Sequence, residues 1–296
     1  MERTTRKRYT KAEVPQHLQN ATAADTLEQI LKMPGEMDDT YNRYKIRLSL
    51  GNMALLATQG LHEFGNTLPR WNDDFHRSVI MGEKAYYIRR PAFKKELNEE
   101  TGEYEEKLVG FPFVKCWFGV NQTEGDEMPP HQSPEYSIPQ LLETYGIEEE
   151  PFRHVNGNCQ GYSYANRIAV NPIAKWPDRT RLHEAAHYLA GHTVPEFNET
   201  YQDNMHRGRA EWVVETAAHI ALKMAGLTHL MNENASRYYT ENWRQGQDIP
   251  DEDCKQAISI GEKLLKGMRV SAANLLTIGE GNNQILEAGR PAGGEV

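Results

Sequence analysis

The sequence TRLHEAAHYLAGHT, residues 180–193, places two histidines four positions apart, with a glutamate directly after the first. The segment predicts a helix that ends at Gly191. Residues at positions i and i+4 lie on one face of a helix, so the imidazoles of His183 and His187 can reach one metal ion. Glu184 is then close to that ion, where a carboxylate can accept a proton from water. The segment therefore predicts a metal site on a helix.

A second predicted helix, over 209–225, supplies further side chains of the kind that bind metals. Glu211 and Glu215 are again four residues apart and share one face. In gluzincin metallopeptidases one acid of this helix binds zinc and a second acid orients a histidine ligand. On this pattern Glu211 is the predicted ligand and Glu215 its partner, although the spacing alone leaves Glu215 open as the direct ligand. His192 does not fit the spacing of a third histidine ligand and is interpreted as a capping or structural residue.

One Zn2+ per chain, or another divalent metal, is the expected cofactor. A zinc ion lowers the pKa of bound water to about 7 and polarises a carbonyl group. In that chemistry Glu184 is the predicted catalytic base, which takes the proton of the attacking water and returns it to the leaving amine. The motif and its spacing therefore predict a peptidase reaction.

The charge of the chain is unevenly distributed. The 296 residues carry a net charge of −9, yet residues 1–120 have a net charge of +1 and the remaining residues −10. Within residues 41–95, ten Lys and Arg stand against four Asp and Glu. No window approaches the roughly 18 consecutive apolar residues of a membrane span, and three widely separated cysteines exclude a disulfide framework. We expect a cytoplasmic protein with two chemically different halves and no membrane partner.

The spacing of apolar residues predicts an α+β chain with two domains. Helices are expected over 22–33 and 41–59, followed by a β-hairpin or small sheet from 84–91 and 107–120 with a charged segment between them. The second half is predicted to be mostly helical, with a strand or hairpin over 162–170 that could pair with an extended peptide. The predicted boundaries are a mobile basic arm (1–21), a first domain (22–125), a linker or ordered strap (126–150), a second domain (151–275) and a flexible tail (276–296).

The basic part of the first half is interleaved with aromatic residues. This combination can bind single-stranded nucleic acid through phosphate contacts and base stacking. The same composition is typical of the core and solvated face of any α+β domain, so the residues alone leave both interpretations open. The candidate DNA contacts flank the predicted β segment and the aromatic cluster, and they are Arg77, Lys84, Arg89, Arg90 and Trp71.

Specific motifs occur in the stretches 41–59, 70–91 and 110–125. They are the spacing Ser49-x-x-Asn52-x-x-Leu55-x-x-x-Gln59, the segment Trp71…Gly82-Glu83-Lys84, and Gln122-Thr123-Glu124-Gly125. With these motifs the first half resembles the N-terminal single-stranded-DNA-binding domain of ArdC-type antirestriction proteins. The second half, with GYSYANRIAVNP, TRLHEAAHYLAGHT and RAEWVVETAAHIAL in that order, resembles the zincin-like metallopeptidase domain that follows in the same family.

The resemblance implies a cytoplasmic protein of a conjugative plasmid, a phage or a related bacterial mobile element. Such a protein binds single-stranded DNA and protects incoming DNA from host restriction, and its partners are single-stranded DNA and a protein substrate. The resemblance also implies that His183, His187 and one glutamate of the E-x-x-x-E pair bind the metal. Two other functions stay open. One is a non-enzymatic DNA-binding antirestriction factor with a structural metal site, and the other is a zincin protease that cleaves a regulatory protein.

Overall fold

The chain divides into two compact units. Unit 1 comprises Met1–His131 with Gly246–Ile258, and unit 2 comprises Gln132–Gln245 with Ser259–Val296. A computed structural model describes residues 14–35, 44, 46, 48–97, 102–130, 134–153, 159–194, 204–231 and 249–270. Helices and short strands occur in both units, so the fold is α+β. The predicted tail, 276–296, and the first thirteen residues of the predicted arm lie outside the described residues.

Four helices occur in the described part of unit 1 before residue 131. They are α1 (Gln16–Gln19), α2 (Ala23–Lys32), α3 (Leu50–Thr58) and α4 (Leu68–Phe75). The helix predicted at α2 is confirmed, and Thr22 and Asp25 form a capping box at its start. Of the helix predicted over 41–59, the described residues form α3, and residues 41–43, 45 and 47 lie outside the described residues. The helix α3 begins after Ser49, because this residue is extended and its hydroxyl caps the amide of Asn52 at 3.2 Å.

The end of the predicted mobile arm is part of the core of unit 1. Val14 and Leu18 are 5% and 1% exposed, and both pack with Tyr87 of the sheet. Removing these apolar side chains from water stabilises the packed position of α1. The prediction of a mobile arm over 1–21 is therefore wrong from Val14 onward.

The described strands of unit 1 form a three-stranded sheet, a two-stranded sheet and a two-stranded ribbon. The strand order of the three-stranded sheet is β1 (Gly65–Thr67), β6 (Phe113–Gly119), β3 (Tyr86–Arg89). The two-stranded sheet pairs β2 (Arg77–Val79) with β7 (Thr123–Gly125). The ribbon pairs β4 (Ala92–Leu97) with β5 (Tyr104–Gly110). The predicted hairpin is confirmed, because β3 pairs with β6 and β4 with β5, both antiparallel. Much of the charged segment between its arms is thus paired as a ribbon.

Two amide side chains, those of Asn52 in α3 and of Gln59 directly after its last residue, cover the edge strand β3. Asn52 donates to the carbonyl oxygen of Arg89 at 2.9 Å and accepts from the amide of Arg89 at 2.8 Å. Gln59 does the same to Tyr87, with both distances 2.8 Å. The two amides are seven residues apart, which is two helical turns, so they lie on one face of α3. They satisfy backbone groups that an exposed edge strand would leave open to another chain.

Unit 2 combines helices with one small sheet. Its elements include α5 (Ile138–Tyr145), α6 (Pro177–Leu189) and α7 (Asn204–Met224), and its strands are β8 (Glu148–Glu149), β9 (Gly161–Tyr164) and β10 (Arg167–Val170). The sheet order is β8-β10-β9, with β10 antiparallel to β9 and parallel to β8. The hairpin predicted over 162–170 is therefore confirmed. The helix α8 (Asp251–Met268) has its residues up to Ile258 in unit 1 and those from Ser259 in unit 2.

Part of the predicted linker is a packed helix. Within 126–150 the helix α5 buries Ile138, Leu141 and Leu142. Ser137 caps its start, and it ends at a left-handed Gly146. Of the two alternatives predicted for 126–150, a linker or an ordered strap, this stretch fits the ordered one, because its apolar residues recur at helical spacing and are removed from water.

Small side chains allow the two longest helices near the predicted metal site to approach each other. Ala185 and Ala186 of α6 are completely buried, as are Ala217 and Ala221 of α7. Alanine lets two helical backbones lie close together, so that polar side chains of both helices can meet. Among the described helices, none combines the length and the apolar composition that a membrane span requires.

Candidate functional site

The two histidines of the H-E-x-x-H motif meet at their Nε2 atoms. His183 and His187 lie one turn apart on α6, and their Nε2 atoms are 3.1 Å apart. Both side chains are largely buried, with 16% and 14% exposed. The expectation that this spacing directs both rings to one point agrees with the structure.

Glu211 of α7 completes a three-membered ligand set. Its Oε2 lies 3.4 Å from Nε2 of His183, and its Oε1 lies 3.6 Å from Nε2 of His187. Within the described residues, these three side chains form the group of donor atoms able to hold a metal ion. Ligands about 2.1 Å from a tetrahedral zinc ion lie roughly 3.4 Å from one another. The observed separations therefore fit the coordination sphere of zinc, and two imidazoles with one carboxylate suit that metal.

Glu215 lies on the opposite side of the His183 ring. Its Oε1 is 3.0 Å from Nδ1 of His183, and its Oε2 is 2.5 Å from the guanidinium of Arg179. The Glu215 side chain is buried, so both of its oxygens are directed by these two contacts. A carboxylate in this position fixes the orientation and tautomer of a ligating histidine. Glu215 is thus placed to orient His183, while Glu211 faces the Nε2 atoms of His183 and His187.

The second histidine of the motif has a neighbour of its own. The left-handed Gly191 ends α6, and the amide of His192 donates to the carbonyl oxygen of His187 at 3.0 Å. This turn brings Nδ1 of His192 to 3.0 Å from Nδ1 of His187. Burial, reinforced by the nearby imidazole of His187, lowers the pKa of His192 to about 4. A neutral His192 can therefore accept the Nδ1–H of His187 and leave Nε2 of His187 free for a metal.

The predicted base, Glu184, is held by a residue that the sequence analysis did not identify. Glu184 is 7% exposed, and its Oε2 accepts a hydrogen bond of 2.8 Å from the hydroxyl of Ser163 on β9. Gly161, two residues earlier on the strand, also faces this carboxylate, since a Cβ there would lie 3.1 Å from Oε1 of Glu184. The alternation of side chains along a strand places positions 161 and 163 on one face. This alternation is the sequence pattern from which a position for Ser163 on the same face as Gly161 could have been predicted.

Neighbouring charges shift the pKa values of His183, Glu211 and Glu215, which form one cluster. Burial alone would lower the pKa of His183, but contacts with Glu211 and Glu215 raise it to about 10. Burial likewise opposes ionisation of the two carboxyls, yet contacts with the histidines hold the pKa of Glu211 and of Glu215 below the usual glutamate value. Without a metal, the cluster therefore binds a proton at His183, and a metal ion has to displace it.

Two of the predicted DNA contacts are structural residues. Trp71 is completely buried in unit 1, where its Nε1 donates to the carbonyl oxygen of Phe118 at 3.0 Å. A buried indole has no open face for a base, so the prediction that Trp71 stacks on DNA is wrong. Arg77 donates to the hydroxyl of Thr123 at 2.8 Å and to its carbonyl oxygen at 2.7 Å, and also to the carbonyl oxygen of Asp126. Its guanidinium joins β2 to β7 and is largely occupied.

The other three basic candidates are exposed on unit 1. Lys84 precedes β3, and its carbonyl oxygen accepts from the side chain of Gln122 at 3.1 Å. Arg89 lies over the ring of Phe113, 4.7 Å from the ring centroid, and Arg90 follows at the end of β3. These side chains are available to a ligand, and their use by DNA remains a prediction.

Comparisons with known proteins give one structural match. No protein-family model matches the sequence, and no curated protein matches it. The fold is similar to the metal-free crystal structure of the antirestriction protein ArdC from plasmid R388, with a TM-score of 0.49 and 15% identity. The match covers 86% of this chain and 98% of that protein. A likeness of this degree assigns neither an activity nor a ligand to the chain.

Proposed function

We propose that the chain is a single-stranded-DNA-binding antirestriction protein whose unit 2 is a zinc-dependent peptidase. One observation carries the enzymatic part: Nε2 of His183, Nε2 of His187 and the carboxylate of Glu211 lie 3.1 to 3.6 Å from one another. That spacing is what a tetrahedral zinc site with one open position requires. Zinc bound there would polarise a peptide carbonyl and acidify water.

The residues around this site have separate tasks in the proposed reaction. Glu184 accepts the proton of the attacking water and later delivers it to the leaving amine. Ser163 donates to Glu184 and holds its carboxylate in place. Glu215 orients His183, and Arg179 in turn balances the buried charge of Glu215.

The strand β9 offers a place for an extended substrate. It is the last strand in the order β8-β10-β9, and no described strand pairs with its outer edge. Ser163 of this strand touches Glu184, so a peptide paired with the edge would pass close to the base. This supports a protein substrate bound in extended form.

The DNA-binding and antirestriction parts of the proposal rest on the sequence. The motifs at Ser49–Gln59, Gly82–Lys84 and Gln122–Gly125 resemble those of ArdC-type antirestriction proteins, and residues 41–95 carry an excess of basic side chains. Single-stranded DNA attracts such a surface through its phosphates. In this proposal the DNA brings the peptidase of unit 2 close to proteins that act on incoming DNA in the cytoplasm.

The Glu184→Gln variant tests the function in a restricting bacterial host. We expect it to bind zinc and single-stranded DNA like the wild type but to lose protection of unmodified DNA, because an amide cannot accept the proton of water. Glu143→Gln, the same change at an exposed position of α5, is the control and should protect fully. Protection by Glu184→Gln at the wild-type level would show that proteolysis is not required and would favour a purely DNA-binding factor.

A further inference from the structure

Unit 1 contains a cavity that none of the motifs predicted. Its volume is about 620 Å3, and it lies between α1, the end of α3, the Gly82–Lys84 turn and the strands β3 and β6. Pockets of roughly 300–1,000 Å3 are typical of sites for small molecules or for one unit of a polymer. The cavity is therefore large enough to enclose one nucleotide.

Fixed amide groups give the cavity a preformed wall. Gln59 is bound through both ends of its amide to the backbone of Tyr87. Gln122 accepts from the amide of Gly119 at 2.9 Å and donates to the carboxylate of Glu83 at 2.7 Å. Because these amides bind protein atoms, they hold the wall in place rather than offering donors to a ligand. The lining includes one carboxylate, that of Glu83, and the hydrogen bond from Gln122 holds it in position.

The lining carries two ammonium groups and one carboxylate, so its net charge is positive. Lys84 and Lys115 both line it, and no carboxylate forms an ion pair with either ammonium among the described residues. The ammonium of Lys115 lies 5.4 Å from the ring centroid of Tyr87, directly across from it on the paired strand. Two lysines without acidic partners at one concave surface point to an anionic ligand.

The rest of the lining is aromatic and apolar. Tyr86 is half-buried and lines the cavity, and Pro15 and Leu18 line it at α1. An aromatic ring can stack on any nucleobase without regard to sequence. A ligand that fits this lining has a phosphate for the lysines and a planar base for Tyr86.

We propose that the cavity binds one nucleotide of a single strand, with its phosphate between Lys84 and Lys115 and its base against Tyr86. This inference rests on the proposed single-stranded-DNA binding of unit 1 and names its site. A free mononucleotide has the same chemistry, but the positive charge continues beyond the cavity. Arg89 and Arg90 are exposed on the same strand, roughly 16–20 Å of chain from Lys84. Only a polymer reaches both places at once.

Oligonucleotide binding by the full-length protein tests the proposal. The probe is a fluorescein-labelled oligothymidylate of twelve nucleotides, followed by fluorescence anisotropy at several salt concentrations. We expect Lys84→Ala combined with Lys115→Ala to raise Kd about tenfold. The slope of log K against log salt should become shallower by about 0.7, since the two lysines share one phosphate and each phosphate contact on a single strand contributes about 0.7.

A matched control removes the same charge elsewhere on unit 1. Lys94 and Lys107 are exposed on the β4–β5 ribbon, where both contact Glu96, at 3.5 and 3.3 Å. Replacing both with alanine changes the net charge equally but should leave Kd within about twofold, because neither lysine lines the cavity and both are paired with Glu96. Tyr86→Ala should also weaken binding about tenfold, but with an unchanged salt slope, since stacking releases no counterions.

The outcomes separate the cavity from the function on which it rests. If the wild type binds the oligonucleotide and the Lys84/Lys115 variant binds equally well, the cavity is not the site, although DNA binding stands. If the wild type does not bind at all, both proposals fail. A third result is that thymidine monophosphate displaces the probe at the same concentrations as an unlabelled oligonucleotide. That result would assign the cavity to a free nucleotide and overturn the proposal that it binds a nucleotide of a single strand.

Discussion

The substitution Glu215→Gln tests whether Glu215 orients His183, while Glu211 is the zinc ligand, through its effect on zinc affinity. Glu215 is buried, with one oxygen 3.0 Å from Nδ1 of His183 and the other 2.5 Å from Arg179. Glutamine keeps the shape of the side chain but has one oxygen and one NH2 group. Its NH2 group must then face either the imidazole N–H or the guanidinium, so one attractive contact becomes a contact between two donors.

The size of the effect follows from these contacts. Loss of a group that orients a metal-binding histidine lowers metal affinity about 10- to 100-fold. This corresponds to about 1.4 to 2.7 kcal/mol of binding free energy. Removal of one member of a buried ion pair also destabilises the fold by about 3–5 kcal/mol, so the variant should unfold at a lower temperature. Zinc stoichiometry should remain one per chain, because all three metal-binding atoms are still present.

The assay is competition for zinc between the protein and a chromophoric chelator, at a temperature where circular dichroism shows the variant folded. Glu211→Gln is the matched comparison, and it should lose stoichiometric zinc because it removes a ligand. Wild-type affinity in Glu215→Gln would refute the orienting role. Loss of zinc in Glu215→Gln with retention in Glu211→Gln would reverse the assignment of the two glutamates.

Three further predictions concern single contacts. Gln59→Leu removes the side-chain partner of the Tyr87 backbone and should destabilise unit 1 by about 2 kcal/mol. The Tyr87 amide should then exchange its hydrogen faster, and unchanged exchange would contradict a stabilising role of Gln59 at this edge strand. Ser163→Ala should lower the protection of DNA about tenfold by releasing Glu184, with zinc content unchanged, and full protection would argue against this contact. In the metal-free protein the pKa of His183 is about 10, above its ordinary value of 6.5, so its proton stabilises the fold fully below pH 6.5 and this effect is lost as pH rises towards 10. Zinc binding at pH 7.5 should accordingly release about one proton, measured by titration calorimetry in two buffers, and a zero proton count would be inconsistent with a protonated His183.

The meeting of the two histidine rings of α6 could be predicted because it depends on local geometry alone. The four-residue spacing of His183 and His187 on a helix determines that their rings share a face. The choice between Glu211 and Glu215 could not be made in this way, since both occupy the same face of α7. It depends on how α7 packs along α6, which is a tertiary contact that the spacing within either helix does not determine.

The predictions of two DNA contacts in the first half, Trp71 and Arg77, failed because the local sequence pattern does not show whether a side chain is buried or exposed. An aromatic residue in a basic stretch has the same pattern whether it stacks on a base or packs in a core, and Trp71 packs in the core. The guanidinium of Arg77 binds Thr123 and Asp126, which are more than forty residues away in sequence. By contrast, α5 in the predicted linker had a local signal, with Ser137 before it and Gly146 after it, that its acidic and Pro-rich surroundings obscured.

The metal content of the purified protein tests the central claim most directly. Elemental mass spectrometry of the wild type, beside Glu211→Ala and Glu215→Ala, counts the zinc ions per chain. We predict about one zinc per chain in the wild type, none in Glu211→Ala, and a reduced content in Glu215→Ala, because only Glu211 supplies a metal-binding atom. A wild type without stoichiometric metal after reconstitution, or equal zinc in Glu211→Ala, would contradict the proposed peptidase site.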